Sequence, residues 1–196
     1  SVFPVALLEA ADAMKMIREY AAEWHVDPEA IAVIGFSAGG HLAANLATST
    51  SDDVLEAHGY DPDAVRPNGL MLAYPVITSG TLAHRGSFDS LLGERRNDPE
   101  ALESVSIERH IDTKTPPVFV WHTVPDEVVP YENTLMLIDA CKKAGVSVEA
   151  HLFPNGGHGL SLGTAETAWQ GVNGIEPSMQ IWTQLAVAWM RRTFAR

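Results

Sequence analysis

The chain has 196 residues, and its composition of 46% hydrophobic and 19% charged residues is that of a globular domain. Its net charge of −12 disfavours nucleic acid or an anionic membrane as the main partner, because both require clustered lysine and arginine. The single cysteine, Cys141, excludes an intrachain disulfide. No signal peptide and no apolar run of about 18 residues is present, so we expect a cytoplasmic protein that does not span a membrane.

Apolar residues recur with helical spacing from Leu7 to Trp24 and predict a first helix. The apolar run Ile31–Phe36 predicts a buried strand that leads into a second helix directly after Ser37. Further strands are predicted at Gly69–Tyr74, Val118–His122 and Val148–Phe153, and further helices at Tyr131–Ala144 and Ser178–Phe194. This alternation predicts one α/β domain over residues 1–196, with a mostly parallel sheet flanked by helices.

Two segments do not fit the alternation. Thr78–Thr115 is long, polar and mixed in pattern, and Gly163–Pro177 is a shorter stretch of the same kind. Long insertions in a compact domain are usually functional or disordered. We therefore expect residues 78–115 to form an insertion near the substrate site.

The segment IAVIGFSAGGHLAANLA, residues 31–47, raises the question of why a bare serine follows an apolar strand. Gly35, Ser37 and Gly39 fit the pattern G-x-S-x-G, in which a strand turns sharply into a helix and projects the serine hydroxyl from the sheet edge. Ser37 is therefore the candidate nucleophile. The N–H of Ala38, at the start of the helix, is the candidate donor to an oxyanion.

A serine hydroxyl needs a base to accept its proton. Among the eight histidines, His158 is the best candidate, because it lies in the glycine-rich segment Asn155–Gly159 directly after the last predicted strand. His41, one turn along the nucleophile helix, is expected to pack or to cap. His122, at the end of a strand, is expected to shape the site.

The base in turn needs a carboxylate to orient it. Asp126 follows the third predicted strand and is the preferred candidate, with its neighbour Glu127 as the alternative. The resulting chain order is Ser37, Asp126, His158. Nucleophile, acid and histidine occur in that order in α/β hydrolases, and in other orders in trypsin-like and subtilisin-like proteins.

Three segments, GFSAGGHLAA, DEVVPYENTLMLIDACKKAGV and HLFPNGGHGLSL, resemble the α/β-hydrolase superfamily. More narrowly, the whole chain is similar to bacterial carbohydrate-esterase-like hydrolases related to acetylxylan and feruloyl esterases. The resemblance implies acyl transfer by Ser37, Asp126 and His158 without a metal or other cofactor. It also implies a small-molecule ester as substrate, of which short acyl esters, and acetyl esters of carbohydrates in particular, are the expected class.

The stretch SGTLAHRGSFDSLLG resembles the insertion that lies on the substrate side in such proteins. His84, in this stretch, is expected to fold over the site and to contact substrate. Trp169 and Trp121 are candidates for stacking on a sugar or an aryl group, with packing in the core as the alternative for both.

The resemblance also implies an N-terminal segment with an HGGG-type loop, which would supply the first half of the sheet and a second oxyanion donor. The printed sequence has glycine pairs only at 39–40 and 156–157, so we expect a half-sheet of four strands in chain order. Ile31–Ile34 is apolar on both faces, as a central strand is, and would be an edge here. We therefore expect a second copy of the chain, or a separate N-terminal chain, to cover Ile31–Phe36.

Two alternatives to an esterase stay open. A peptidase or an arylformamidase would use the same scaffold and would turn over amides faster than esters. A non-catalytic chain that associates through its exposed strand would form no acyl-enzyme.

Overall fold

A computed structural model describes residues 2–169 and 173–195. Its sheet consists of β1 (Ala32–Phe36), β2 (Gly69–Ala73), β3 (Val118–Thr123) and β4 (Val148–Phe153). The strands lie side by side in chain order, and each neighbouring pair is parallel. The predicted parallel sheet and its strand order are confirmed, and each strand agrees with its predicted segment to within one residue at either end.

The helices of the described residues are, in chain order, α1 (Val5–Glu19), α2 (Ala38–Ala47), α3 (Asp52–Ala57), α4 (Pro62–Val65), α5 (Arg85–Leu92), α6 (Pro99–Ser104), α7 (Glu132–Ala144) and α8 (Trp182–Thr193). The prediction that the first helix reaches Trp24 is wrong, because residues 20–25 form turns that end at His25 in the left-handed region. The last helix begins four residues later than predicted, after a 3₁₀ turn at Pro177–Met179. Within residues 2–169 and 173–195, no helix is both long and apolar enough to cross a membrane.

Helices cover the two faces of the sheet and form two layers of core. β2 and β3 are buried along their whole length, as strands with neighbours on both sides should be. Side chains of α2 and α7 pack on one face, and side chains of α8 pack on the other. A smaller apolar cluster around Phe88 and Val105 forms the inside of the segment 78–115, which contains α5 and α6.

β1 is an edge strand of the sheet in the described part of the chain, as the sequence predicts. It pairs with β2 along one side, from Ala32 opposite Gly69 to Phe36 opposite Ala73. Ile34 is 45% exposed, which is unusual for a large apolar side chain in a parallel sheet. An apolar edge of this kind presents unpaired backbone groups to a further strand.

Asn133, at the start of α7, fixes the base of the segment 78–115. Its Oδ1 accepts hydrogen bonds from the backbone N–H groups of Ile77 and Thr78, at 3.0 and 3.1 Å. Its Nδ2 donates to the carbonyl oxygens of Leu82 and Pro130, both at 3.0 Å. Because the side chain is fully buried and out of contact with water, these four hydrogen bonds satisfy its polar atoms within the protein.

The substitution Asn133→Leu is expected to lower the free energy of unfolding by about 2–4 kcal/mol, because it leaves several buried backbone groups without partners. Urea denaturation followed by circular dichroism measures this loss. The matched control is Asn97→Leu on the exposed surface, which should change stability by less than about 0.5 kcal/mol. Equal effects of the two substitutions would contradict the anchoring role of Asn133.

Candidate active site

The turn between β1 and α2 holds Ser37 in a conformation that side chains rarely adopt, with φ 54° and ψ −122°. A Cβ on Gly35 would lie 2.3 Å from the carbonyl oxygen of Gly39, and a Cβ on Gly40 would lie 2.9 Å from the side chain of Pro75. The turn can close only with glycine at these positions. Backbone strain of about 1–3 kcal/mol at a single residue is typical of functional sites.

The Oγ of Ser37 lies 2.7 Å from Nε2 of His158, and Nδ1 of the same ring lies 2.7 Å from Oδ2 of Asp126. Because the carboxylate can only accept, Nδ1 carries the proton and Nε2 is free to accept the serine hydroxyl. The fold therefore brings together the three residues that the sequence singles out. A hydroxyl, an imidazole and a carboxylate in this chain can activate the hydroxyl as a nucleophile.

His158 reaches the serine from a loop whose shape depends on glycine. Gly156 and Gly159 have φ angles of 101° and 78°, in the region that favours glycine. The hydroxyl of Thr123, at the end of β3, donates to the carbonyl oxygen of Gly157 at 3.1 Å. The ring of Tyr74 packs edge-on against the imidazole, with the ring centroids 5.0 Å apart. These contacts fix the imidazole at the carboxyl end of the sheet.

Asp126 is buried, and both of its oxygens are hydrogen-bonded. Oδ1 accepts the backbone N–H groups of Val128 and Val129, each at 2.9 Å, and Oδ2 faces His158 and His122. Burial raises the pKa of the carboxyl, but the hydrogen bonds from the two imidazoles and from Val129 outweigh burial. The pKa of Asp126 consequently lies well below its usual range, and the group is ionised at neutral pH.

The alternative carboxylate, Glu127, is exposed. In the described part of the chain, the carboxylate that contacts His158 is that of Asp126. The reason is local: in the turn after β3, the side chain of Asp126 accepts the backbone N–H groups of Val128 and Val129, while Glu127 is exposed to solvent.

The N–H of Ala38 is the first of α2, and the first N–H groups of a helix have no acceptor within the helix. It lies at the N-terminus of α2, the positive end of the helix dipole, which favours negative charge. A cavity of about 280 Å³ adjoins it, lined mainly by apolar side chains of α1 and α2 and by Leu91. An anionic oxygen formed next to Ser37 could bind at this helix start.

The three predicted substrate contacts differ in their surroundings. Nδ1 of His84 lies 2.8 Å from Oγ of Ser87 at the start of α5, and the hydrogen bonds of the described residues do not link it to the site. Trp169 is 44% exposed and pairs through its backbone with Asn173. Trp121 is fully buried and stacks on Trp182, so the suggestion that it stacks on a sugar is wrong.

His41 is buried and packs against neighbouring residues, as the sequence predicts. Its Nε2 donates to the carbonyl oxygen of Val105 at 2.7 Å, and its Nδ1 accepts from the amide of Asn45 at 2.9 Å. Its ring lies edge-on to Phe88. The side chain thus ties the nucleophile helix to the segment 78–115. Burial lowers the pKa of His41 to about 4, although its hydrogen bond to Val105 acts in the opposite direction.

His122, which is expected from the sequence to shape the site, contacts the carboxylate of Asp126. It is fully buried at the end of β3, and its Nε2 lies 3.2 Å from Oδ2 of Asp126. Its position at the end of a strand, four residues before Asp126, is the sequence signal that could have indicated this contact. Across residues 2–169 and 173–195, no group of three histidine, cysteine or acidic side chains could hold a metal ion.

A parallel sheet whose first strand turns sharply into a helix at a serine, beside a histidine and a carboxylate, defines the class of α/β hydrolases. Comparison with known proteins agrees with this class. The chain belongs to the BD-FAE family, which matches residues 1–140.

Two solved structures are similar to almost the whole chain. The acetyl ester-xyloside bifunctional hydrolase from Caldicellulosiruptor lactoaceticus is 37% identical with a TM-score of 0.81, over 98% of this chain and 67% of that one. The carboxylesterase Cest-2923 from Lactobacillus plantarum is 29% identical with a TM-score of 0.81, over 98% of this chain and 69% of that one. The TM-scores show that both structures share the fold of this chain.

Curated relatives are longer. Endo-1,4-beta-xylanase B of Butyrivibrio fibrisolvens is 35% identical over 89% of this chain and 27% of its own length. The acetylxylan esterase of Xylanibacter ruminicola is 30% identical over 76% of this chain and 30% of its own length. The chain therefore spans less than a third of these two relatives.

Acidification is expected to destabilise the fold through His41. Because its pKa of about 4 in the folded state lies below the ordinary value of 6.5, the unfolded chain binds the proton more tightly. The stability contributed by neutral His41 is complete above pH 6.5 and is lost as the pH falls from 6.5 towards 4, by up to about 3 kcal/mol. An NMR titration of the ring together with urea unfolding between pH 7 and 4 tests this; a ring that titrates near 6.5 would contradict it.

Proposed function

We propose that the protein is a serine hydrolase that cleaves carboxylic esters through an acyl-enzyme. The observation that carries this proposal is the chain of two 2.7 Å contacts that joins Ser37 to His158 and His158 to Asp126. A base within hydrogen-bond reach of a hydroxyl, itself held by a carboxylate, is the arrangement that nucleophilic catalysis requires. The names of the similar proteins, which include carboxylesterases and an acetylxylan esterase, support the same reaction class.

In the proposed reaction, Oγ of Ser37 attacks the ester carbonyl while Nε2 of His158 takes the hydroxyl proton. Asp126 holds the ring in the Nδ1–H tautomer and stabilises the imidazolium. The N–H of Ala38 donates to the oxyanion. The imidazolium then gives its proton to the leaving alcohol, and a water activated by His158 hydrolyses the acyl-serine.

For the substrate, we propose short acyl esters, with acetyl esters of carbohydrates as the specific class. Support comes from two relatives, named an acetylxylan esterase and an acetyl ester-xyloside bifunctional hydrolase. His84 and the exposed Trp169 are the proposed substrate contacts, since an imidazole can hydrogen-bond to a sugar hydroxyl and an indole can pack on its ring. Amide turnover faster than ester turnover would instead favour a peptidase or an arylformamidase.

We also propose that β1 pairs with a further strand, from a second copy of this chain or from a separate N-terminal chain. The exposed apolar side chain of Ile34 supports this association, as does the outer edge of β1, which pairs with no strand in the described part of the chain. The N–H of Ala38 is the one proposed oxyanion donor. The loss of one such donor typically lowers kcat by roughly 10²–10³-fold, so a second donor supplied by a partner would raise turnover. A chain that bound its partner strand without turnover would be an interaction module.

The first test is covalent labelling with a fluorophosphonate and turnover of 4-nitrophenyl acetate, with native mass spectrometry of the same sample. We expect Ser37→Ala to abolish both signals and to leave the fold intact, because it removes a single hydroxyl in the turn between β1 and α2. Ser104→Ala, distant in sequence and bonded only within α6, is the matched control and should be labelled normally. Persistent labelling of the Ser37→Ala protein would overturn the assignment of the nucleophile.

A second test separates the two adjacent carboxylates. Asp126→Asn should lower kcat by roughly 10³- to 10⁴-fold, because the amide favours the wrong tautomer of His158. Glu127→Gln has the same change of charge at the exposed neighbour and should alter kcat by less than about twofold. Steady-state kinetics with 4-nitrophenyl acetate decide between them, and a larger loss at Glu127 would reverse the assignment.

A further inference from the structure

His122 lies beneath the proposed triad and does not take part in it directly. It is fully buried at the end of β3, with each ring nitrogen in contact with another element. Nε2 lies 3.2 Å from Oδ2 of Asp126 and 3.0 Å from the carbonyl oxygen of Val129. Nδ1 lies 2.8 Å from Oγ1 of Thr134, in the first turn of α7.

These contacts determine the tautomer of His122. An ionised carboxylate and a backbone carbonyl can only accept, so Nε2 must carry a proton that it shares between Asp126 and Val129. In the tautomer that carries its proton on Nε2, Nδ1 accepts the hydroxyl proton of Thr134. The hydroxyl of Thr134 on α7 thereby fixes which nitrogen of His122 points its N–H at the carboxylate.

Asp126 consequently accepts four hydrogen bonds, about the number of lone-pair sites on a carboxylate. Two come from the backbone N–H groups of Val128 and Val129 to Oδ1, and two come from His122 and His158 to Oδ2. The two imidazoles therefore compete for one oxygen. The stronger the bond from His122, the less that oxygen can stabilise a proton on His158.

We infer that His122 is a positioning residue that acts through Asp126: its N–H holds Oδ2 towards His158 and limits how basic His158 becomes. This inference rests on the proposed function, in which His158 is the base for Ser37. The strength of the bond from His122 to Oδ2 thereby affects how readily Nε2 of His158 takes the serine proton.

Among residues 2–169 and 173–195, three groups contact the ring of His158 directly. Ser37 lies at its Nε2, Asp126 at its Nδ1, and the ring of Tyr74 at its edge. The side chain of Glu176 lies near Gly156, two residues away in the same loop, and bonds to Ser178. The variants used to test the inference leave all of these groups in place, so that a change in the titration of His158 can be attributed to His122.

The test uses a double variant, His122→Leu with Thr134→Val, which removes both partners of the buried contact. Replacing both by apolar groups avoids leaving the Thr134 hydroxyl buried without a partner. His122→Gln is the conservative variant, because its amide can still donate to Asp126. The matched control is His151→Leu, the same change on β4, where the imidazole contacts Glu149 and not the triad.

The readout is the rate constant for fluorophosphonate labelling of Ser37 as a function of pH, with an NMR titration of His158 in the unlabelled protein. In the double variant, Oδ2 becomes a stronger acceptor for His158. We expect the midpoint of both titrations to rise by about one pH unit, so that labelling below the midpoint slows about tenfold. The midpoint measured for His122→Gln should lie close to the wild-type value, and that for His151→Leu should equal it.

A midpoint that stays at the wild-type value, or falls, in a double variant that folds normally would overturn the inference and leave a purely structural role for His122. The proposed function fails in a different way. If the wild-type protein were not labelled at Ser37 at any pH, the nucleophile would be wrong, and the NMR titration would still decide whether His122 controls the basicity of His158.

Discussion

The carboxylate of Asp126 is the group on which the rest of the site depends. Four N–H groups converge on its two oxygens, from the backbone after β3 and from two histidines on different segments. A carboxylate taken out of water is costly unless its oxygens are hydrogen-bonded. The donors that remove this cost are the same groups that orient His158. The stability of this part of the fold and the geometry of the base therefore come from one set of contacts.

The parallel sheet explains why residues so far apart in the chain meet. Ser37, Asp126 and His158 each follow the carboxyl end of a strand, β1, β3 and β4, and parallel strands end at the same edge of a sheet. β2, which lies between β1 and β3, contributes Tyr74, whose ring supports His158 and whose hydroxyl accepts the N–H of Ser161. The ends of the four strands thus supply the three residues of the proposed triad and a ring that packs against His158.

The sequence predicts the parts of this arrangement that depend on local pattern. The inner strands β2 and β3 are identifiable because strands buried on both faces are largely apolar. Gly35 identifies the turn, because a Cβ there would collide with the carbonyl oxygen of Gly39. The short helices α3 and α4 were not predicted, since they have six and four residues and no apolar period to recognise. Trp121 could not be assigned, because its burial depends on α8, which is distant in sequence.

The two sides of the site differ in how far the described residues complete them. On the base side, the hydrogen bonds of Asp126 and His122 are satisfied within the chain. On the oxyanion side, the N–H of Ala38 adjoins an apolar cavity, and next to it runs the unpaired edge of β1. A strand that paired with β1 in parallel would end at the same edge of the sheet as Ser37, and the loop after it would lie beside that cavity. The proposed association of a strand at β1 would therefore bring a loop to the proposed oxyanion site, so the association proposal and the esterase proposal are compatible.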